Sequence, residues 1–269
     1  MRKYKHLILA VFILVLVTLA CSISLPGVDF GSESVRGSGD VSEEERLVGG
    51  ITSVSVANQG DLYIELGEQE KLVIEAEDNL LEYIESDVRG GELVLETSSE
   101  VNIRNTKPIR YYLTVKVLEE IAVYSSGDID APEFEVDSFT IDVNSSGDVK
   151  VDGLDVTELR INISSSGEVT VGELVADQLD VTISSSGNLT IREGGLEEQD
   201  ISIRSSGDYD ARNVQSQRAT VRISSSGDVT IRVSNELEAR LSSSGDLYYI
   251  GNPSVDARES SSGDVIQIK

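Results

Sequence analysis

The sequence is poor in the side chains that most enzymes use for catalysis. Its 269 residues include one cysteine, one histidine, one methionine and no tryptophan. The histidine is His6, so a chain that has lost its first twenty residues contains none. In that shortened chain a Ser-His-Asp or Cys-His arrangement is excluded, as is a zinc site with histidine ligands. We therefore expect no catalytic residues, no metal and no cofactor.

Basic residues are also scarce. The chain has 22 Lys and Arg against 48 Asp and Glu, and removal of the first twenty residues leaves 19 basic residues and a net charge of −29. Nucleic-acid binding depends on Lys and Arg contacts to phosphates, so a nucleic-acid partner is not expected. Aromatic residues make up only 5%. Leu, Ile and Val must form the core, which suits many short strands.

The N-terminus has the pattern of an export signal. The basic stretch MRKYKH is followed by the apolar run LILAVFILVLVTLA, which predicts a signal peptide over residues 1–20. The run is shorter than the roughly 20 residues that cross a bilayer, although an uncleaved anchor stays open as an alternative. Leu19-Ala20-Cys21-Ser22 resembles the lipobox of bacterial lipoproteins, with Thr18 as a departure from it. We expect a lipid on Cys21; cleavage after Ala20 without a lipid is the alternative.

The segment after the signal differs in composition from the rest of the chain. Residues 21–46 are dominated by Ser, Gly and Glu and lack an apolar period, which predicts a flexible acidic tether. Residues 47–120 alternate apolar and polar side chains and are expected to form irregular N-terminal β coils. Within them, the stretch DNLLEYIESDVRGG is expected to hold a short helix or loop. Residues 121–269 carry a regular repeat.

The repeat is the phrase Ser-Ser-Gly followed by an acid or its amide. Its successive glycines are 20 residues apart five times and then 18 residues apart twice, at Gly127, Gly147, Gly167, Gly187, Gly207, Gly227, Gly245 and Gly263. A fixed period near twenty indicates a solenoid in which each repeat is one coil.

The residues around each glycine alternate with the period of a strand. Positions six and four before the glycine and two after it are apolar in nearly every copy, as in Ile161, Ile163 and Val169 around Gly167. Period-two alternation repeated every twenty residues predicts an all-β chain folded as a parallel β-helix, with two or three short strands per coil. The last copy departs from it, with Glu259 at an inward position.

Each member of the phrase has an expected structural task. The serine two before the glycine continues the inward parity and is expected to hydrogen-bond at a narrow corner. The glycine is expected to turn the chain with a positive φ, and the following acid to accept bonds from turn amides. The alternative is a calcium ladder formed by the acids at Asp128, Asp148, Glu168, Asp208, Asp228, Asp246 and Asp264. Asn188 interrupts that row, and the period is twice that of calcium-binding nonapeptide repeats.

The SSGD coils from Ser125 to Asp264, with the preceding ANQGDLYIELGEQEKLVIEAE and TKPIRYYLTVKVLEEIAVYSSGDI segments, resemble a family of bacterial exported proteins. This is the putative auto-transporter adhesin, head GIN domain family, and the resemblance covers roughly residues 50–269. It implies a right-handed parallel β-helix and a cell-envelope location, and it carries no catalytic residues. Nothing in the sequence resembles an outer-membrane transporter barrel, so anchoring must depend on Cys21 or the apolar segment.

Two functions stay open at this stage. The first is a non-enzymatic surface module for adhesion, ligand binding or a structural role, with a surface glycan or protein as ligand and with solenoid ends that could pair with another chain. The second is a carbohydrate-active β-helix enzyme, a polysaccharide lyase or hydrolase, for which Arg222, Arg240 and Arg258 form a stacked row. Acidic neighbours of that row favour a solvated salt-bridge face over a catalytic one.

Overall fold

The computed structural model describes residues 33–269, which form an all-β solenoid. The first part of this region contains short strands and one 3₁₀ turn at Leu81–Tyr83; the strands are β1 Glu33–Arg36, β2 Val41–Arg46, β3 Ser53–Val56, β4 Asp61–Leu66, β5 Lys71–Glu77, β6 Ile84–Arg89, β7 Glu92–Thr97, β8 Val101–Arg104, β9 Arg110–Val115 and β10 Glu120–Val123. The second part contains β11 Ile129–Val143, β12 Val149–Ile163, β13 Glu168–Ile183, β14 Asn188–Ile203, β15 Tyr209–Ile223, β16 Val229–Leu241, β17 Leu247–Ile250, β18 Ser254–Glu259 and β19 Val265–Ile268.

The long strands stack in parallel, and each coil pairs with the next one along the chain. In β12 and β13, for example, Val149 lies opposite Val169 and Ile163 opposite Ile183, a constant offset of twenty residues. The same offset joins β11 to β12 and β13 to β14. The predicted parallel β-helix is therefore confirmed.

Each coil has three sides. The ladder between β12 and β13 is interrupted at two places, where Asp152 lies opposite Gly172 and where Thr157 lies opposite Asp177. The alternation of buried and exposed side chains along β12 is also interrupted at both places. These are two bends, and the SSGD phrase is the third corner. In β12 the first wall spans 149–152, the second wall 153–157 and the third wall 158–163; the same names are used for the equivalent residues of every coil.

The interior is a set of aliphatic columns. The column six residues before each repeat glycine is buried through seven coils, at Ile121, Ile141, Ile161, Val181, Ile201, Val221 and Ala239. Burial of each Ile or Val side chain in this column contributes about 1.5–3 kcal/mol to the free energy of unfolding. The predicted inward positions are thus confirmed, except in the last coil, where Ala257 and Glu259 are exposed.

The coil shortens from 20 to 18 residues between β15 and β16, on the second wall. Pairing of the two strands shifts register between Ala211 and Gln215 and again between Ser216 and Arg218. Ser216 is buried there, accepts a bond from the Gln199 amide at 2.8 Å and donates to the Arg232 carbonyl at 2.9 Å. Tyr209 completes the buried network by donating to the Gln199 Oε1 at 3.2 Å. These polar groups satisfy the backbone that the bulge leaves without a regular partner.

The N-terminal end is closed by antiparallel strands. Strands β3 and β4 form a coil that pairs in parallel with β10 and β11 on one side and with β7 and β9 on the other. Strand β6 then pairs antiparallel with β7, and β5 with β9. Residues 47–120 thus combine parallel coil strands with antiparallel strands and the 3₁₀ turn at Leu81–Tyr83, and the reversal of direction stops parallel stacking at this end.

The predicted tether is wrong for residues 33–46. Strand β2 pairs antiparallel with β5 along its whole length, and β1 pairs with β8. Arg46 fixes β2 by donating to the carbonyls of Leu81 and Ile84 at 3.1 and 2.7 Å. The connection between β1 and β2 is also held in place. The buried carboxylate of Glu77, at the end of β5, accepts a bond from the amide of Gly39 in this connection and from the amides of Thr106 and Lys107. The sequence misled because an edge strand exposes most side chains and therefore carries no apolar period.

The C-terminal end has no comparable cover within the described residues. Strand β18 pairs with β16, and β19 with β17, which leaves their outer edges unpaired. All six side chains of β18 are exposed. No helix in residues 33–269 is long and apolar enough to cross a membrane.

Candidate functional site

The repeat glycines occupy the corner between the third wall and the first, but not for the expected reason. None of them has a positive φ; among the described residues that conformation occurs at other glycines, such as Gly50 and Gly194. Instead, each repeat glycine packs directly on the corner of the preceding coil. A Cβ on Gly187 would lie 2.4 Å from the carbonyl oxygen of Gly167. The positive-φ prediction is therefore wrong: close approach of successive coils excludes a side chain here.

The serines two residues before the glycines are half-buried in all but the last coil. Neighbouring coils are joined at this point through the backbone, as in the bond from the Gly187 amide to the Ser165 carbonyl at 2.8 Å. The expected hydrogen bonds from these serine hydroxyls are absent among residues 33–269.

The acid after most repeat glycines caps the next coil, although the Glu168 carboxylate accepts no bond from the Asn188 amide. The Asp128 carboxylate accepts the amide of Asp148, and the Asp148 carboxylate accepts the amide of Glu168, at 2.8 and 2.7 Å. Asn188 starts a second run by accepting the amide of Asp208, and the pattern continues to Asp264. The expected acceptor role is confirmed, with amides of the adjacent coil as donors. Asn188 fits the row because its amide oxygen performs the same task.

A ninth copy of the corner lies where sequence reasoning found none. Asn58-Gln59-Gly60-Asp61 joins β3 to β4, and the position of a Cβ on Gly127 falls 2.1 Å from the Gly60 carbonyl oxygen. The Asp61 carboxylate accepts the amide of Asp128 at 3.3 Å. The Gly-Asp pair in ANQGDLYIEL was the available signal, and the replacement of Ser-Ser by Asn-Gln concealed it.

One groove combines ladder acids with exposed aromatic rings. It has a volume of about 380 Å³ on the first wall and is bordered by Asp61, Tyr63, Asp128 and Asp148. Tyr63 stacks on Tyr112 with ring centroids 5.5 Å apart, and both residues are 40% exposed. Lys150, in the same groove, is held between Asp130 and Asp152 at 3.2 Å from each, which raises its pKa. Apart from Lys150, the charged groups in this groove are carboxylates.

The second groove lies on the third wall near the C-terminal end, and we call it the arginine groove. It has a volume of about 500 Å³ and is lined by four arginines, four serines, Ile223 and Leu241, with no acidic residue in the lining. The arginines are Arg204, Arg222, Arg240 and Arg258. Strand register places the last three directly above one another. Sequence reasoning identified this row; Arg204, from a neighbouring outward column, joins it only in the folded chain.

The four arginines differ in their partners. Arg222 forms an ion pair with Asp200 at 2.7 Å, and Arg240 contacts Glu238 at 2.9 Å and Asp256 at 3.3 Å. The predicted salt-bridge face is confirmed for these two. Within residues 33–269, Arg204 and Arg258 form no ion pair and donate no side-chain hydrogen bond.

Charge changes sign along the third wall. At the opposite end of the same strand stack, Glu120 has a raised pKa because of partial burial and the nearby carboxylates of Asp142 and Glu92. The wall thus has an acidic end near β10 and an arginine-rich end near β18. No group of three or more His, Cys, Asp or Glu in residues 33–269 is arranged to hold a metal ion. Cys21 and the signal segment lie outside the described residues.

Comparison with known proteins identifies related chains. The family model described as putative auto-transporter adhesin, head GIN domain, matches residues 51–172 and 140–253, together well over half of the chain. No match was found among proteins of curated function.

Solved structures share the fold at low identity. The crystal structure of a putative adhesin from Parabacteroides merdae superposes with a TM-score of 0.83 at 23% identity and covers 88% of this chain and 100% of its own. Two proteins from Parabacteroides distasonis, described as a putative lipid binding protein and a putative adhesin, have TM-scores of 0.80 and 0.81 at 22% identity with the same coverage. At these identities the likeness establishes the fold alone.

Proposed function

Because the chain belongs to the putative auto-transporter adhesin, head GIN domain family, we propose that it is a non-enzymatic adhesion module of the cell envelope that binds a ligand on the walls of its solenoid. The family description and the adhesin descriptions of the structural neighbours support a surface role. The exported location expected from the N-terminal sequence agrees with such a role.

One observation carries the proposal: from β11 to β14, outward side chains stack in columns along each wall. The register of β11 to β14 is constant, so the same outward position recurs coil after coil. Columns of this kind present a repeated chemical group at roughly 4.8 Å intervals. That arrangement suits recognition of an extended, repetitive ligand.

The anchor is the second part of the proposal. A lipid on Cys21, or retention of the apolar segment, would hold the solenoid at the outer side of the cytoplasmic membrane. Residues 22–32 would then be the remaining connection, because residues 33–46 belong to the folded body.

The proposal is tested with the purified full-length chain in detergent micelles. The protein is applied to an array of cell-envelope and host polysaccharides, peptidoglycan fragments, proteins and lipid vesicles. We expect saturable retention of one class without chemical change in the bound material. Absence of saturable binding throughout would overturn the binding role, and release of new reducing or unsaturated sugar ends would make the protein an enzyme.

A further inference from the structure

We infer that the arginine groove binds an anionic polysaccharide, one that carries carboxylate or sulfate groups at regular intervals. The inference rests on the proposed function and names the ligand class for one of its walls. Two observations support it. Four arginines line the groove, and two of them, Arg204 and Arg258, form no ion pair within residues 33–269.

The charge of the groove is opposite to that of the chain. In a protein with a net charge of −26, four of the 22 basic residues line one groove without an acid among them. Arg222, Arg240 and Arg258 are stacked in register, and neighbouring like charges at a spacing of 4.8 Å repel by roughly 0.9 kcal/mol in water. Ion pairs relieve this for Arg222 and Arg240, whereas Arg204 and Arg258 keep their full donor capacity. A guanidinium without a partner offers two parallel donors to a carboxylate or sulfate.

The shape of the groove favours a polymer over a single anion. The lining spans four coils, from Arg204 to Arg258, or roughly 14 Å at the usual strand spacing. A lone phosphate or sulfate could engage only one or two of these arginines. Ser224, Ser242 and Ser260 directly follow the strand ends, each two residues after an arginine, and their hydroxyls donate only at 3.4–3.5 Å to backbone carbonyls. Their oxygens are free to accept bonds from sugar hydroxyl groups.

Other polyanions fit less well. The acids Asp200, Glu238 and Asp256 pair with the arginines but lie outside the groove lining. A broad anionic surface, such as a nucleic-acid duplex or a membrane, would also meet these acids, whereas a single glycan chain within the groove meets a lining without acids. A peptide commonly docks by pairing with an open strand edge, but β15 and β16, which carry Arg222 and Arg240, are paired on both edges. Of the described strands at the groove, only the short terminal strand β18, which carries Arg258, has an open edge. A glycan needs only the side chains.

The test uses the full-length chain and measures affinity for polygalacturonate and dextran sulfate, with neutral dextran and phosphatidylglycerol vesicles as comparisons. The test variant is Arg204→Gln with Arg258→Gln. Its matched control is Arg104→Gln with Arg192→Gln, which removes the same charge from two exposed arginines outside the groove. We expect the polyanions to bind and neutral dextran not to bind. The test variant should weaken binding about tenfold and the control by less than about twofold.

A gain of affinity provides the second arm. Asp200→Asn removes the carboxylate that competes for Arg222, so affinity for the same polyanions should rise several-fold. No polyanion binding by the parent, or an equal loss in both double variants, would overturn the inference. Preferential binding of the vesicles, lost in the test variant, would assign the groove to a membrane instead. If polyanions fail while another class in the array is retained, the inference falls and the proposed adhesion function stands.

Discussion

Replacement of Gly187 by alanine tests the packing of the repeat corner. A Cβ there would lie 2.4 Å from the Gly167 carbonyl oxygen, 2.5 Å from Ile163 Cγ2 and 2.8 Å from the Ser165 carbonyl oxygen. Ordinary contacts begin at 3.4 Å, so the two coils must separate by about 1 Å at this corner. The separation also stretches the bond from the Gly187 amide to the Ser165 carbonyl, now 2.8 Å long.

The expected cost follows from these two effects. Overpacking of a close-packed site costs about 1–3 kcal/mol, and weakening one backbone hydrogen bond adds roughly 1 kcal/mol. A total of about 3 kcal/mol lowers the Tm of a chain of this size by roughly 6–12 °C. Gly263→Ala should cost less, although its Cβ would meet the Gly245 carbonyl oxygen at 2.2 Å, because within residues 33–269 no coil packs above this one and it can shift.

Thermal unfolding followed by circular dichroism measures the effect, and Gly50 supplies the control. Gly50 has a φ of +71° and no atom near its absent Cβ, so Gly50→Ala should cost only the backbone strain of about 1 kcal/mol. Asparagine tolerates the left-handed conformation, so Gly50→Asn should be milder than Gly50→Ala. At Gly187 the order should reverse, because asparagine is larger and its φ preference brings no benefit. A harmless Gly187→Ala, or a Gly187→Asn milder than the alanine variant, would refute the contact explanation.

Three further predictions follow from the ladder, the N-terminal cap and the anchor. Asp228→Asn should change stability by less than about 0.5 kcal/mol, because Asn188 shows that an amide oxygen can cap the next coil. Asp228→Ala, which removes the acceptor, should cost about 1 kcal/mol. A calcium-dependent rise in Tm that Asp228→Asn abolishes would instead make the ladder a metal site. Burial opposes ionisation of Glu77, but bonds from Thr106, Lys107 and Gly39 outweigh it and lower its pKa below the ordinary 4.5. The ionised Glu77 carboxylate therefore contributes fully to the free energy of unfolding above pH 4.5, and this contribution declines as the pH falls through the lowered pKa. In urea unfolding, the free energy of Glu77→Gln should depend less on pH in the acid range than that of the parent. An equal pH dependence in the two proteins would contradict this. Cys21→Ala should release the protein from the membrane fraction, and continued membrane fractionation would indicate an uncleaved apolar anchor.

The repeat architecture could be predicted from the sequence because its cause is local. Alternation of Ile161, Asn162 and Ile163 reflects burial on one side of a strand, and the twenty-residue period places the same alternation in every coil. The acceptor role of the ladder acids was accessible for the same reason, since a carboxylate beside a turn has amides within reach. The row of Arg222, Arg240 and Arg258 followed from the period alone.

Features that depend on contact between coils required the tertiary structure. The need for glycine at Gly187 arises from the Gly167 carbonyl of the coil below, and not from the φ of its own residue. Residues 41–46 read as a tether because an outer strand exposes most of its side chains, and only pairing with β5 reveals its place. Arg204 joins the arginine groove from another column, and which arginines keep free donors depends on where Asp200, Glu238 and Asp256 lie in space. A sequence period records which side of a strand is buried, whereas approach distances and ion pairs are set by how the coils stack.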